Sequence, residues 1–129
     1  MIQKVKIIVT ENRIKYGGIM VCFIHEDDVS AIQGDGLVYK NLITTDNGAV
    51  NNFLLGITEY HAEEYQTIGV HEFQEGFYII SGEGTAKIGE EEFNIRPGSS
   101  FIAAKGVPHS VKKSPNSEPV KLVWVHGAV

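Results

Sequence analysis

The sequence predicts an all-β chain folded as a sandwich or barrel. Three observations point there. Short runs of β-branched and aromatic residues recur at even spacing, Gly- and Pro-containing turns separate them, and no segment carries a convincing helical period. The length of 129 residues predicts one domain over 1–129, and 43% hydrophobic residues suffice for a core without covalent staples.

Taken in order, residues 2–9 alternate and then run apolar, which predicts an edge strand, and Gly17 and Gly18 break the chain before a strand over 19–25. Glu26, Asp27 and Asp28 predict a short helical turn reaching Ala31 and Ile32, followed by a turn from Gln33 to Gly36. A strand over Leu37–Thr44 stops at Asp46-Asn47-Gly48, a hairpin signal, and Phe53–His61 forms the next. Residues 67–71 and 76–81 read as two short strands, the second rich in aromatic and β-branched side chains. Turns at Gly82-Glu83-Gly84, Gly89-Glu90-Glu91 and Arg96-Pro97-Gly98 then separate strands over Thr85–Ile88, Phe93–Ile95 and Ser100–Ala104. Residues 105–108 deliver His109, Ser114–Pro119 is a loop, and Val120–His126 is the last strand. Its alternation sets Val120, Leu122, Trp124 and His126 against Lys121, so those four are expected to point inward.

Composition excludes several function classes. Lys and Arg number 11 against 16 Asp and Glu, a net charge of −5, and no basic face is visible, so nucleic acid is not an expected partner. No apolar run approaches the ~20 residues of a membrane span, and no signal-type segment opens the chain. The single cysteine, Cys22, lies in an apolar run and reads as a packed thiol in a reduced, cytoplasmic setting.

The chemistry concentrates in His71-Glu72-Phe73-Gln74-Glu75, with His109 further on. Two imidazoles and a carboxylate are the donor set of a metal site with open positions. In one straight strand, four steps of about 3.3 Å would part His71 and Glu75 by roughly 13 Å, too far for one ion. A three-residue hairpin loop at 72–74 makes them cross-strand neighbours instead and pairs Gly69 with Phe77. His25 has no partner at a useful spacing and reads as an ordinary polar residue.

Residues 69–82 and 98–109 resemble the two motifs of the cupin superfamily. The first motif is H-x-H, three or four residues, E, six residues, G. The second is G, five residues, P-x-G, two residues, H, three residues, N. His71, Glu75 and Gly82 match the first, and Gly98, Gly106 and His109 the second. The first motif His falls on Gly69, the second-motif Pro on Ala104 and the Asn on Lys113. The resemblance implies a double-stranded β-helix (jelly-roll) barrel holding a divalent metal ion such as Fe, Ni, Zn or Mn.

Three readings of the site stay open. The metal rests on His71, Glu75 and His109 alone, a fourth ligand comes from His126 or His61, or the metal has been lost and the residues hydrogen-bond to one another or to a ligand. His61, Phe77, Trp124 and His126 are the candidate lining of a substrate pocket, with His126 as candidate acid or base. Trp124 inward reads as core or as a stacking surface, and Phe77 as a filler of the space that the imidazole missing at 69 would take. The resemblance implies a small-molecule substrate or ligand, with dioxygenase, isomerase or lyase chemistry or non-catalytic binding. It also implies a homodimer, with residues 1–18 as an edge needing cover.

Overall fold

The computed structural model describes residues 9–10, 13–16 and 19–127. Among these residues there are twelve strands: β1 (Val9–Thr10), β2 (Arg13–Tyr16), β3 (Ile19–Cys22), β4 (Ile32–Gly34), β5 (Leu37–Ile43), β6 (Leu54–Tyr60), β7 (Glu75–Ser81), β8 (Gly84–Ile88), β9 (Glu91–Ile95), β10 (Ser100–Ala103), β11 (His109–Lys113) and β12 (Val120–His126). Among the described residues there is no α-helix, only 3₁₀ turns at Glu26–Asp28 and Thr45–Asn47, and no helix long and apolar enough to cross a membrane.

Six strands form one sheet in the order β10-β7-β12-β6-β5-β4, three form a second in the order β11-β8-β9, and β1-β2-β3 form a third. Every pairing is antiparallel. The first two sheets close a jelly-roll barrel over one apolar core. Phe77 and Ile79 of β7, Ala103 of β10, and Val120, Leu122 and Trp124 of β12 come from one side, and Ala86, Ile95 and Val111 from the other. The period-2 pattern of β12 does what the sequence requires. Its alternate residues from Val120 to His126 are buried, while Lys121, Val123 and Val125 are not. Trp124 belongs to this core. Its indole lies over Gly56, where any Cβ would collide with it, and its Nε1 donates to Thr58 Oγ1 at 3.0 Å.

Several expected elements differ. Residues 67–71 form no hairpin with β7, and Gly69 does not pair with Phe77. Both edges of β7 are already taken, by β10 and by β12, so the preceding segment crosses to the other sheet, where Gly69 forms a two-hydrogen-bond bridge with His109. The turn at Glu26 ends at Asp28, and Ile32 opens β4, whose hairpin with β5 turns at Asp35 and Gly36. Glu26 is held there because Lys121 Nζ sits 2.6 Å from its carboxylate and Lys40 Nζ donates to its carbonyl at 2.7 Å. β5 and β6 do pair, but across a longer connection. Thr44 caps the 3₁₀ turn, and Gly48 closes it at φ +99°, a left-handed conformation that suits glycine. The strands β2 and β11 carry too few alternating apolar residues to have been expected. The proposed edge strand over 2–9 lies, except for Val9, outside the described residues, as does the break at Gly17 and Gly18.

Candidate metal centre

Three separate elements deliver the side chains. Glu75 is the first residue of β7 and points into the barrel, where it is 5% exposed. His109 is the first residue of β11 on the opposite sheet, and His126, the last of β12, stands directly across from Glu75 in the β12–β7 register. His71 precedes the bend at Glu72 and Phe73, and its carbonyl accepts from Gly106 N–H at 2.8 Å. That bend does the work expected of a hairpin loop, bringing His71 to Glu75 without a ladder between them.

The result is one carboxylate oxygen among three imidazoles. Glu75 Oε1 lies 3.0 Å from His71 Nε2, 3.3 Å from His109 Nε2 and 2.9 Å from His126 Nε2. These are ion-pair separations, and the buried Oε1 has no well-formed hydrogen bond among them. The donor atoms of His71, Glu75 and His109 all lie within 4.8 Å of one another. Two donors bound at about 2.1 Å to one ion, with angles between tetrahedral and octahedral, sit roughly 3.0–3.4 Å apart. The contacts therefore have the lengths of edges in a coordination shell.

The tautomer of His109 sharpens this. Its Nδ1 is 3.2 Å from the Val107 carbonyl, which can only accept, so Nδ1 carries the hydrogen and Nε2 of the neutral ring presents a lone pair. That lone pair faces a carboxylate oxygen that is also an acceptor. Only a proton or a cation between them makes the contact favourable. Burial lowers the His109 pKa, but the Glu75 contact, its charge and the Val107 carbonyl together hold it above the ordinary value. At His71 burial dominates, and with repulsion from His126 and His109 it outweighs attraction to Glu75, so its pKa is lowered. The carboxylate thus raises both imidazoles, and the net shifts differ in sign because burial and repulsion from His126 and His109 win at His71, whereas at His109 the carboxylate, helped by the Val107 carbonyl, outweighs burial.

Of the other expected pocket residues, Phe77 lies beneath the cluster, stacked on Phe101 with ring centroids 4.7 Å apart and 5.4 Å from the His109 ring. It does not fill the space at Gly69. The His109 ring does, since a Cβ on residue 69 would lie 2.5 Å from His109 Nε2. Trp124 is core, with its ring 4.7 Å from that of His126. His61 is not at the site. It is exposed just beyond the far end of β6, and six strand steps from Leu54, which pairs with His126, carry Tyr60 roughly 20 Å away. His25 is also remote and accepts from Asp27 N–H at 3.1 Å. Phe73 went unanticipated. It stacks on His71 at 5.4 Å and packs on His126 at 4.5 Å, and its only sequence signal was its place inside the motif spacing. A hollow of about 320 Å³ borders His109 and Pro108, while a larger one of about 480 Å³ between Pro97 and Pro115 does not touch the cluster.

Comparison with known proteins agrees with this architecture. No curated protein sequence gives a significant match. Among solved structures, the polyketide cyclase RemF from Streptomyces resistomycificus superposes with a TM-score of 0.70 at 21% identity, over 83% of this chain and 79% of that one. A predicted oxalate decarboxylase from Thermotoga maritima gives 0.71 at 15% identity, over 83% and 99%. Hydroxypropylphosphonic acid epoxidase from S. wedmorenis gives 0.67 at 17% identity over 85% of this chain, which spans 60% of the epoxidase chain's length. At these identities the likeness is one of fold. Residues 56–126, more than half of the sequence and with all four clustered side chains among them, match the family model for the cupin domain, and the chain belongs to that family.

Proposed function

We propose that this chain binds one divalent cation through His71, Glu75 and His109 and presents it to a small molecule at the mouth of the barrel. The observation that carries the reading is the buried, hydrogen-bond-free Glu75 Oε1 facing ring nitrogens at 2.9–3.3 Å. Two imidazoles and one carboxylate suit Fe(II), and also Ni, Zn or Mn. Such an ion would supply Lewis-acid polarisation of a substrate oxygen or, as Fe(II), dioxygen activation. The chain's own residues do the rest. Glu75 provides the compensating negative charge, and Val107 fixes the His109 tautomer. Phe73, Phe77 and Trp124 give the cluster apolar neighbours that limit water. His71, with its side chain 33% exposed, is the side from which a ligand arrives. Dioxygenation, isomerisation and lyase chemistry all fit a small substrate here. The solved cupin-fold neighbours named above as an epoxidase, a cyclase and a predicted decarboxylase support small-molecule chemistry as the class.

A second reading is favoured by one observation. Glu75 raises the His109 pKa, and a second proton taken up on His109 would satisfy the carboxylate without any metal, as in a binding module that does not turn over its ligand. Thermal melts at pH 8 separate the two. Adding Mn(II), Ni(II), Zn(II) or anaerobic Fe(II) at 100 times the dissociation constant raises stability by about 2.7 kcal/mol, and a chelator reverses it. A melting temperature indifferent to every ion and to chelator favours the metal-free module.

A cytoplasmic homodimer completes the proposal. Tyr78, Ile80 and Ile102 are exposed on β7 and β10, and β10 ends its sheet with no further strand beside it among the described residues. Light scattering is expected to return twice the chain mass of 14.2 kDa; the monomer mass would rule the dimer out.

A further inference from the structure

The family's first motif carries an imidazole at the position of Gly69, and here none fits. The His109 ring lies over that glycine, with Nε2 2.5 Å from where a Cβ would stand, and both backbone polar groups of Gly69 are bonded to the His109 backbone. The vacated space is occupied, so a side chain at residue 69 would have to displace the His109 ring.

On the other side of Glu75 stands His126, which neither family motif contains. Three observations concern it. Its Nε2 is nearer to Glu75 Oε1, at 2.9 Å, than that of either other histidine, and this contact is not a hydrogen bond. Its ring centroid is 4.8 Å from that of His71, beside 5.1 Å for the His71–His109 pair. Two imidazoles bonded at about 2.1 Å to one ion have centroids roughly 4.6–5.3 Å apart, so both His71 pairs fall in the range for a shared ion, while the donors already mutually within 4.8 Å are those of His71, Glu75 and His109, and His126 must close on them when an ion binds. Finally, His126 is only 8% exposed, and its Nδ1 has no hydrogen-bond partner. A buried imidazole without a hydrogen bond on either nitrogen needs an explanation. A cation on Nε2 accounts for that nitrogen and leaves Nδ1 without a partner.

We propose that His126 is the fourth donor of the cation centre, supplied from β12 in place of the imidazole that residue 69 lacks. The proposal rests on the reading that this cluster binds a divalent ion. It moves one donor from the segment bridged to β11 onto the strand beside Glu75, and leaves a set of three imidazoles and one carboxylate. His126 is the weaker donor. His109 has Val107 to fix its ring, whereas His126 Nδ1 meets only the rings of Trp124 and Phe73.

The test uses Cu(II) as a probe, added below one equivalent, and pulsed electron paramagnetic resonance to count coordinated imidazoles from their remote nitrogens. Three are expected in the unchanged protein and two in His126→Phe, which keeps the packing against Phe73 and Trp124. His126→Gln, a second variant in case the first folds poorly, is also expected to show two. Zn(II) affinity of either variant is expected to fall by more than the roughly 10-fold that even a supporting partner of a ligand is worth, with one ion still bound, whereas His71→Ala loses the ion. Two imidazoles in the unchanged protein, or a count and affinity that the His126 variants leave unaltered, overturn the assignment of His126 and leave the three-ligand centre standing. Absence of any imidazole-coordinated copper in the unchanged protein overturns both.

Discussion

Glu75→Gln is expected to remove metal binding while leaving the metal-free fold about as stable as before. The amide keeps the carboxylate's volume in a site that is 5% exposed, so no cavity opens. It loses the charge that neutralises a divalent ion. Replacing even a supporting hydrogen-bond partner of a metal ligand costs roughly 10–100-fold in affinity, and loss of an anionic ligand is expected to exceed about 100-fold. The metal-free protein has little to lose. An amide NH₂ can donate to the lone pair of His109 Nε2, which the carboxylate can only oppose.

The pH of the comparison matters. The His109 pKa is raised in the fold by the carboxylate's contact and charge, in spite of burial. Its stabilisation is therefore fully present below the unfolded value of about 6.5 and disappears as pH rises through the folded value. At pH 8 that contribution is small, and melts of the metal-free proteins are expected to coincide. Near pH 6, where His109 carries its second proton, removing the carboxylate breaks a buried pair and is expected to cost about 3–5 kcal/mol. The same proton competes with a cation, so metal affinity of the unchanged protein is expected to climb as pH rises.

Leu122→Ala carries the largest expected cost in stability, about 2–5 kcal/mol. Leu122 is 0% exposed in the middle of β12, the strand between β6 and β7, and packs in the core shared by both sheets. For a chain of this size each kcal/mol lowers the melting temperature by roughly 3–5 °C, so a fall of about 6–25 °C is expected by calorimetry. The site couples to this, because β12 also carries His126 and pairs with the strand of Glu75. Metal at 100 times its dissociation constant is expected to return about 2.7 kcal/mol of the loss. A drop under 1 kcal/mol would mean that β12 is not the central packed strand described here.

What could be read from the sequence follows the range of the interactions involved. The residues of β12 and their inward face are legible because a period of two is a local property, and one lysine settles which face is outside. The motif spacings around His71, Glu75 and His109 are equally local, and they placed the three side chains that the fold brings together. Partner choice is not local. The segment 67–71 reads as a strand by composition, but nothing in it says that β7 is already paired on both edges or that Gly69 will bridge to His109, forty residues on. His61 and His126 look alike as histidines at strand ends. They lie at opposite ends of the barrel because β6 and β12 run antiparallel, a fact of topology. Phe73 was missed for a related reason: a loop aromatic shows no period to reveal what it covers.

The most direct measurement is elemental analysis of protein exposed to a mixture of Fe(II), Ni(II), Zn(II) and Mn(II) and then desalted, with Glu75→Gln treated in parallel. About one divalent ion per chain in the unchanged protein and almost none in the variant is the expected result. No ion in the unchanged protein, or equal amounts in both, would contradict a cation centre built on Glu75.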